Sequence, residues 1–110
     1  MQIDQKSVNQ TLIITPQDKR LDAAAAVTFK NTVCDCIESG NNQILINLEH
    51  IDFIDSSGLG AIVTCLKRMG IKGQISLCAL SPAVKSVFEL TRMNKVFAIH
   101  ADESSALAAL

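Results

Sequence analysis

Gln43-Ile44-Leu45-Ile46-Asn47-Leu48, followed four residues later by Asp52-Phe53-Ile54-Asp55-Ser56-Ser57-Gly58-Leu59-Gly60, is the stretch that decides the fold. The run Ile44, Leu45, Ile46 lies between turn-forming residues and has no polar alternation, so it predicts a strand covered on both faces. Directly after it, Ser56 to Met69 carries Leu59, Ile62, Val63 and Leu66 on one helical stripe. Lys67 and Arg68 fall in the last turn and Gly70 lies beyond it. Basic residues suit a helix carboxyl end and glycine suits the residue that follows. A buried strand feeding an amphipathic helix is the repeating unit of a parallel α/β sheet.

The same alternation extends outward. Upstream, Asp22 is a good N-cap for a helix whose Ala26, Phe29, Val33, Cys36 and Ile37 share a face, with Lys30, Asn31, Asp35 and Glu38 opposite and Gly40 as terminator. Two strands, Gln2 to Val8 and Thr11 to Thr15, precede it with Asn9-Gln10 as a tight turn; Pro16 stops the second, and Gln17 to Leu21 reads as a polar loop. Downstream, Gln74 to Ala79 reads as a strand. Ser81-Pro82 starts a helix with Val84, Val87 and Phe88 inward, Val96 to Ile99 a last strand, and Asp102 or Glu103 to Leu110 a final helix that must dock to satisfy its alanines and Leu107. The expectation is one α/β domain over residues 1–110, with a mixed sheet of about five strands that opens on a hairpin, and about four helices.

Composition narrows the function. Ten basic and eleven acidic residues leave a net charge of -1 without a basic block, and there is no Trp or Tyr. Both features argue against a nucleic-acid partner, which needs cationic grooves and stacking platforms. No apolar run reaches the ~18 residues of a membrane span, and Met1 to Lys6 lacks a leader pattern, so a cytoplasmic protein is expected. The four cysteines, without C-x-x-C spacing, are expected to be thiols. Cys36, Cys65 and Cys78 read as core, and Cys34 and Cys36 as pointing to different faces. Met69 and Met93 read as packing or rim residues.

Chemistry concentrates after the central strand. Ser56 or Ser57 is placed to cap the helix, holding a hydroxyl where backbone N–H groups point outward. Gly58 and Gly60 in a first turn cost about 1 kcal/mol each relative to alanine, which suggests a compensating gain. A serine hydrolase would need a base and an elbow motif that this loop lacks; His50 and His100 read as strand-end residues. A phosphoacceptor role for Asp55 would need metal-holding acids after the first strand, where Thr15-Pro16-Gln17 stand instead. No catalytic residue, metal or cofactor is expected.

The string Asn47 to Gly60 resembles the signature of bacterial anti-sigma factor antagonists, the single-domain STAS proteins. Further matches are Leu21-Asp22, the strand ending Ser76-Leu77-Cys78-Ala79-Leu80, and Ser81-Pro82-Ala83-Val84-Lys85. The resemblance implies a switch, not an enzyme. Ser56 would be phosphorylated by an ATP-binding serine kinase that is also the anti-sigma factor; the unphosphorylated form would bind that kinase, and a PP2C-type phosphatase would reset the modified one. The partner surface would comprise Asp22, Asp55, Ser56, Ser57, Gly58, Leu59 and Gly60. Its alternative outlet is a STAS switch or scaffold subunit governing biofilm or secretion without a direct sigma-factor target. Asp18-Lys19-Arg20 departs from the glycine and glutamate that precede Leu-Asp in better-known antagonists, which bears on which kinase is recognised.

Overall fold

A computed structural model describes residues 1–110. Strands β1 (Ile3–Val8) and β2 (Thr11–Pro16) pair antiparallel, with Val8 opposite Thr11 and Ile3 opposite Pro16. Asn9 and Gln10 both take positive φ, 49° and 68°, the turn geometry whose twist matches a two-residue hairpin. After β3 (Arg20–Leu21) come α1 (Ala23–Glu38), β4 (Gln43–Asn47), β5 (Phe53–Ile54) and α2 (Ser56–Met69). Then follow β6 (Gln74–Cys78), α3 (Pro82–Leu90), β7 (Ala98–His100) and α4 (Glu103–Ala109), with 3-10 turns at Gly70–Lys72 and Met93–Lys95.

The main sheet has the order β1-β2-β4-β6-β7, so β4 is central, and every pair but β1–β2 is parallel. The pleat of β4 assigns its residues to two layers. Ile44 and Ile46 join a large cluster with Phe29 and Val33 of α1, Ile62 and Cys65 of α2, and Val84 and Phe88 of α3. Leu45 points the other way, to Ile13, Cys78 and Ala106 beneath α4. Three helices therefore cover one face and α4 the other, which is why β4 needed no polar alternation. Each fully buried Ile or Leu in these layers contributes about 1.5–3 kcal/mol. On α4, Ala106 is fully buried, so the final helix docks as its composition required.

Three local expectations are corrected. Gln17 to Leu21 is not wholly loop: Arg20 and Leu21 form β3, and Leu21 has no exposed surface. The last strand is displaced, because Arg92 adopts φ 61° and the 3-10 turn after it leaves Val96 exposed; the paired residues are Ala98–His100. The buried stripe of α2 is Gly58, Ala61, Ile62, Cys65 and Met69, whereas Leu59, Val63 and Leu66 pack half-buried at the cluster's margin. Small residues face inward because α2 lies directly against α1, and side-chain volume there sets how close two helices approach. Cys34 is buried along with Cys36, whose Sγ donates to Gln5 Oε1 at 3.6 Å. Burial pushes the Cys65 and Cys78 thiols up to about 12, so neither is a nucleophile near neutral pH.

Candidate functional site

The site is organised by a second, two-stranded sheet. Strand β3 pairs parallel with β5, placing Arg20 beside Phe53 and Leu21 beside Ile54. The Asp52 and Phe53 amides donate to the Lys19 carbonyl at 2.7 and 3.3 Å, and the Asp55 amide to the Leu21 carbonyl at 3.4 Å. Leu21 and Ile54 bury their side chains and anchor this sheet in the large cluster. One residue later each strand reaches an aspartate, and each aspartate starts a helix. Asp22 Oδ1 accepts from the Ala24 and Ala25 amides at 3.2 and 3.3 Å, and Asp55 Oδ1 from the Gly58 amide at 2.9 Å. Parallel register thus sets the amino ends of α1 and α2 side by side.

The cap of α2 is Asp55, which corrects the expectation that Ser56 or Ser57 fills that place. A carboxylate satisfies the exposed helix amides more strongly than a hydroxyl does. Ser56 and Ser57 become the first two helical residues, and both are exposed. A first-turn hydroxyl that is not spent on capping is free to be modified without uncapping the helix. Gly58 is buried, and a Cβ there would overlap the Leu21 carbonyl oxygen and come within 3.0 Å of Ile54 Cγ1. Gly60 is exposed, with nothing within 4 Å of such a Cβ.

Two residues outside the seven singled out in the sequence join the site. Phe53 exposes 39% of its surface, and the Arg20 guanidinium lies 3.9 Å from its ring centroid. Arg20 Nε also donates to Asp22 Oδ2 at 3.3 Å. That hydrogen bond, assisted by the Ala25 and Ala24 amides and opposed by burial, holds the Asp22 carboxyl below the usual carboxylate range. Between α1 and α2, beside Ser57, runs a shallow groove of about 260 Å³ lined by Val27, Lys30, Ala61 and Thr64. Asp22, Asp55, Ser56, Ser57 and Gly60 gather around the paired helix starts, Leu59 is half-buried at their edge, and Gly58 lies beneath. His50 is in the turn after β4 with Nε2 3.9 Å from Glu49 Oε1, and His100 ends β7; neither belongs to this group. The sequence did hold a signal for β3 and its partner. Leu21-Asp22-Ala23 and Ile54-Asp55-Ser56 repeat an aliphatic residue and an aspartate before a small-residue helix start.

No helix is long and apolar enough to cross a membrane. Compared with known proteins, residues 2–106 match the model of the STAS domain family. A candidate anti-sigma factor antagonist of Thermotoga neapolitana is 33% identical over 104 residues, covering 93% of this chain and 91% of the relative. Another from Bordetella bronchiseptica is 28% identical over 74 residues, spanning 66% of this chain and only 64% of the relative. Among solved structures, a candidate anti-sigma factor antagonist of Thermotoga maritima superposes with a TM-score of 0.92 at 29% identity, covering 97% of this chain and 92% of its own.

Proposed function

Because this chain belongs to the STAS domain family, we propose that it acts over residues 1–110 as one cytoplasmic unit, an anti-sigma factor antagonist switched by phosphorylation of Ser56. It works by binding and not by catalysis. Its relatives of 33% and 28% identity are named for that regulatory role. The observation that carries the reading is the exposed, non-capping hydroxyl of Ser56 at the start of α2, flanked by Asp22 and Asp55 at two adjacent helix ends.

The unphosphorylated protein presents this end of α2, with Asp22, Asp55, Ser57, Leu59 and Gly60, to a serine kinase that is also the anti-sigma factor. Docking displaces the sigma factor. Ser56 Oγ then attacks the γ-phosphorus of kinase-bound ATP: the Oγ–P bond forms, the bond to the ADP oxygen breaks, and the serine proton passes to a base on the kinase. The ester adds about -1.5 to -2 charges at neutral pH. A helix amino end accepts such an anion at a gain of about 0.3–2 kcal/mol, so the fold survives. Pressed into an interface, the same anion meets desolvation and the nearby carboxylates of Asp22, Asp52 and Asp55. About 1.4 kcal/mol is tenfold in affinity, and a burial of this kind costs several. A PP2C-type phosphatase hydrolyses the ester and restores the binder.

Incubation with the cognate kinase and ATP, followed by mass spectrometric mapping, is expected to find one phosphate on Ser56. Ser56→Ala is expected to bind the kinase permanently and Ser56→Asp poorly. Phosphate on Ser57, or a phosphorylated form with undiminished kinase affinity, would sink the reading.

A further inference from the structure

We propose that Arg20 is the internal partner of the modified site: when Ser56 carries a phosphate, the Arg20 guanidinium leaves the Asp22 carboxylate and pairs with that phosphate. The proposal rests on Ser56 being the acceptor. Its geometric basis is the small β3–β5 sheet. Register holds the Arg20 backbone beside Phe53, and the guanidinium carbon lies over the Phe53 ring, 3.9 Å from its centroid and only three residues before Ser56. Continuing the register puts Asp22 alongside Asp55, on strands about 4.8 Å apart, so the carboxylate that Arg20 now holds borders the Ser56 backbone.

The present pairing is easily exchanged. It is a single contact through Nε, 3.3 Å long, between side chains that retain 60% and 29% of their exposure. Exposed pairs of this kind are weak, whereas a phosphoserine offers nearly twice the charge and three acceptor oxygens to a guanidinium that binds phosphate in a fork. Phe53 keeps the cation in place through the exchange, because the ring contact does not depend on Asp22. Competing charges are few. The first turns of α1 and α2 carry no acidic side chain, and the local anions are Asp22, Asp52, Asp55 and Asp18, the last lining a shallow cavity together with Arg20 and Asp22. Lys19 precedes Arg20 on the same segment, Lys30 lies a turn or more along α1, and Lys85 and Glu89 of α3 line a separate cavity next to β7.

The consequence is a switch with two parts. Phosphorylation adds an anion at Ser56 and also strips Asp22 of its cation, so the partner meets two changed charges for one modification. The phosphate itself is held against the domain instead of ranging freely.

The test installs phosphoserine at position 56 during translation, so no kinase is required, and follows the phosphate by ³¹P NMR against pH in the full chain. A guanidinium favours the dianion, so the second phosphate pKa is expected to lie about 0.5 unit or more lower in the otherwise unaltered protein than in Arg20→Gln, with Arg20→Lys between them. The Arg20 Nε–H signal is expected to shift on phosphorylation. Circular dichroism confirms that each surface variant is folded. Equal phosphate pKa values with and without the arginine, or an Arg20 signal indifferent to the phosphate, would overturn the proposal. Failure of the kinase to modify Ser56 would instead remove the functional reading and leave this electrostatic result measurable.

Discussion

The first turn of α2 has two sides that obey different constraints. On the inner side Gly58 lies against the Leu21 carbonyl, and its missing side chain is what lets β3 pass across the helix start. On the outer side Ser56, Ser57 and Gly60 face solvent, and nothing in the domain demands that position 60 lack a Cβ. In sequence the two glycines look alike, and each costs a helix about 1 kcal/mol. Their costs are offset in different places. For Gly58 the compensation is architectural, since it seats the Leu21-Asp22 segment that pairs with β5. For Gly60 no compensation exists within the chain, which leaves the partner surface as its rationale.

The largest effect expected from this division is for Gly58→Ala. The new methyl would meet Leu21 backbone atoms, including its carbonyl carbon at 2.9 Å, and backbone cannot step aside as a flexible side chain can. Overpacking of this kind costs about 1–3 kcal/mol, against the ~1 kcal/mol that alanine returns in helix propensity. A net loss of up to about 2 kcal/mol is expected in urea unfolding, with faster amide exchange in β3 than in β4. A variant as stable as the parent would break the comparison, because position 58 would then be no more constrained than position 60.

Next in size is the cap. Asp55→Ala removes the acceptor for the Gly58 amide and is expected to cost about 1 kcal/mol, while Asp55→Ser restores most of it. If serine at 55 recovers stability but not kinase binding, the aspartate serves both sides of the turn. If it recovers both, Asp55 belongs to the architecture alone.

These experiments bear on what the amino-acid sequence discloses. The hairpin, the central β4, the α1 face, the span of α2 and the start of α3 were all legible, because each rests on a local period, a strong terminator such as Gly40 or a strong start such as Ser81-Pro82. The β3–β5 sheet left only the repeated aliphatic–aspartate pairs Leu21-Asp22 and Ile54-Asp55 as a trace, since two residues per strand are too few to show any alternation. The α2 stripe was misjudged for a related reason. Leu59, Val63 and Leu66 are the bulkier set, yet the buried face of α2 carries Gly58, Ala61 and Cys65, with Gly58 against β3 and Cys65 beside Cys34 of α1, where small volume matters more than hydrophobicity. The candidate site divides the same way. Ser56 and the two aspartates could be singled out from the chain, but the Arg20–Phe53 stack depends on a register that only the folded backbone supplies.

A gain is expected from Gly60→Ala. An exposed helical position with open space around its Cβ should gain about 0.5–1 kcal/mol from lower unfolded-state entropy. The informative result is the pairing of that gain with weaker kinase binding, seen as a higher urea midpoint and a larger dissociation constant for one protein. Tighter or unchanged binding would mean that the outer glycine is not part of a docking surface.

The smallest effect concerns the charge on Asp22. Its folded-state carboxyl is lowered, first by the Arg20 hydrogen bond, so ionised Asp22 favours the folded state at neutral pH. That contribution is fully present above the ordinary aspartate value of about 3.9 and is lost as pH falls through the lower folded value. Asparagine caps helices as well as aspartate does, so Asp22→Asn keeps the cap and removes only the charge. The stability difference between parent and Asp22→Asn should therefore be present at pH 7 and shrink by pH 3, and Arg20→Gln should shrink it at both. A difference that stays constant across that range would show that the outer side of this turn is held by the cap geometry alone, with the arginine a bystander to the fold.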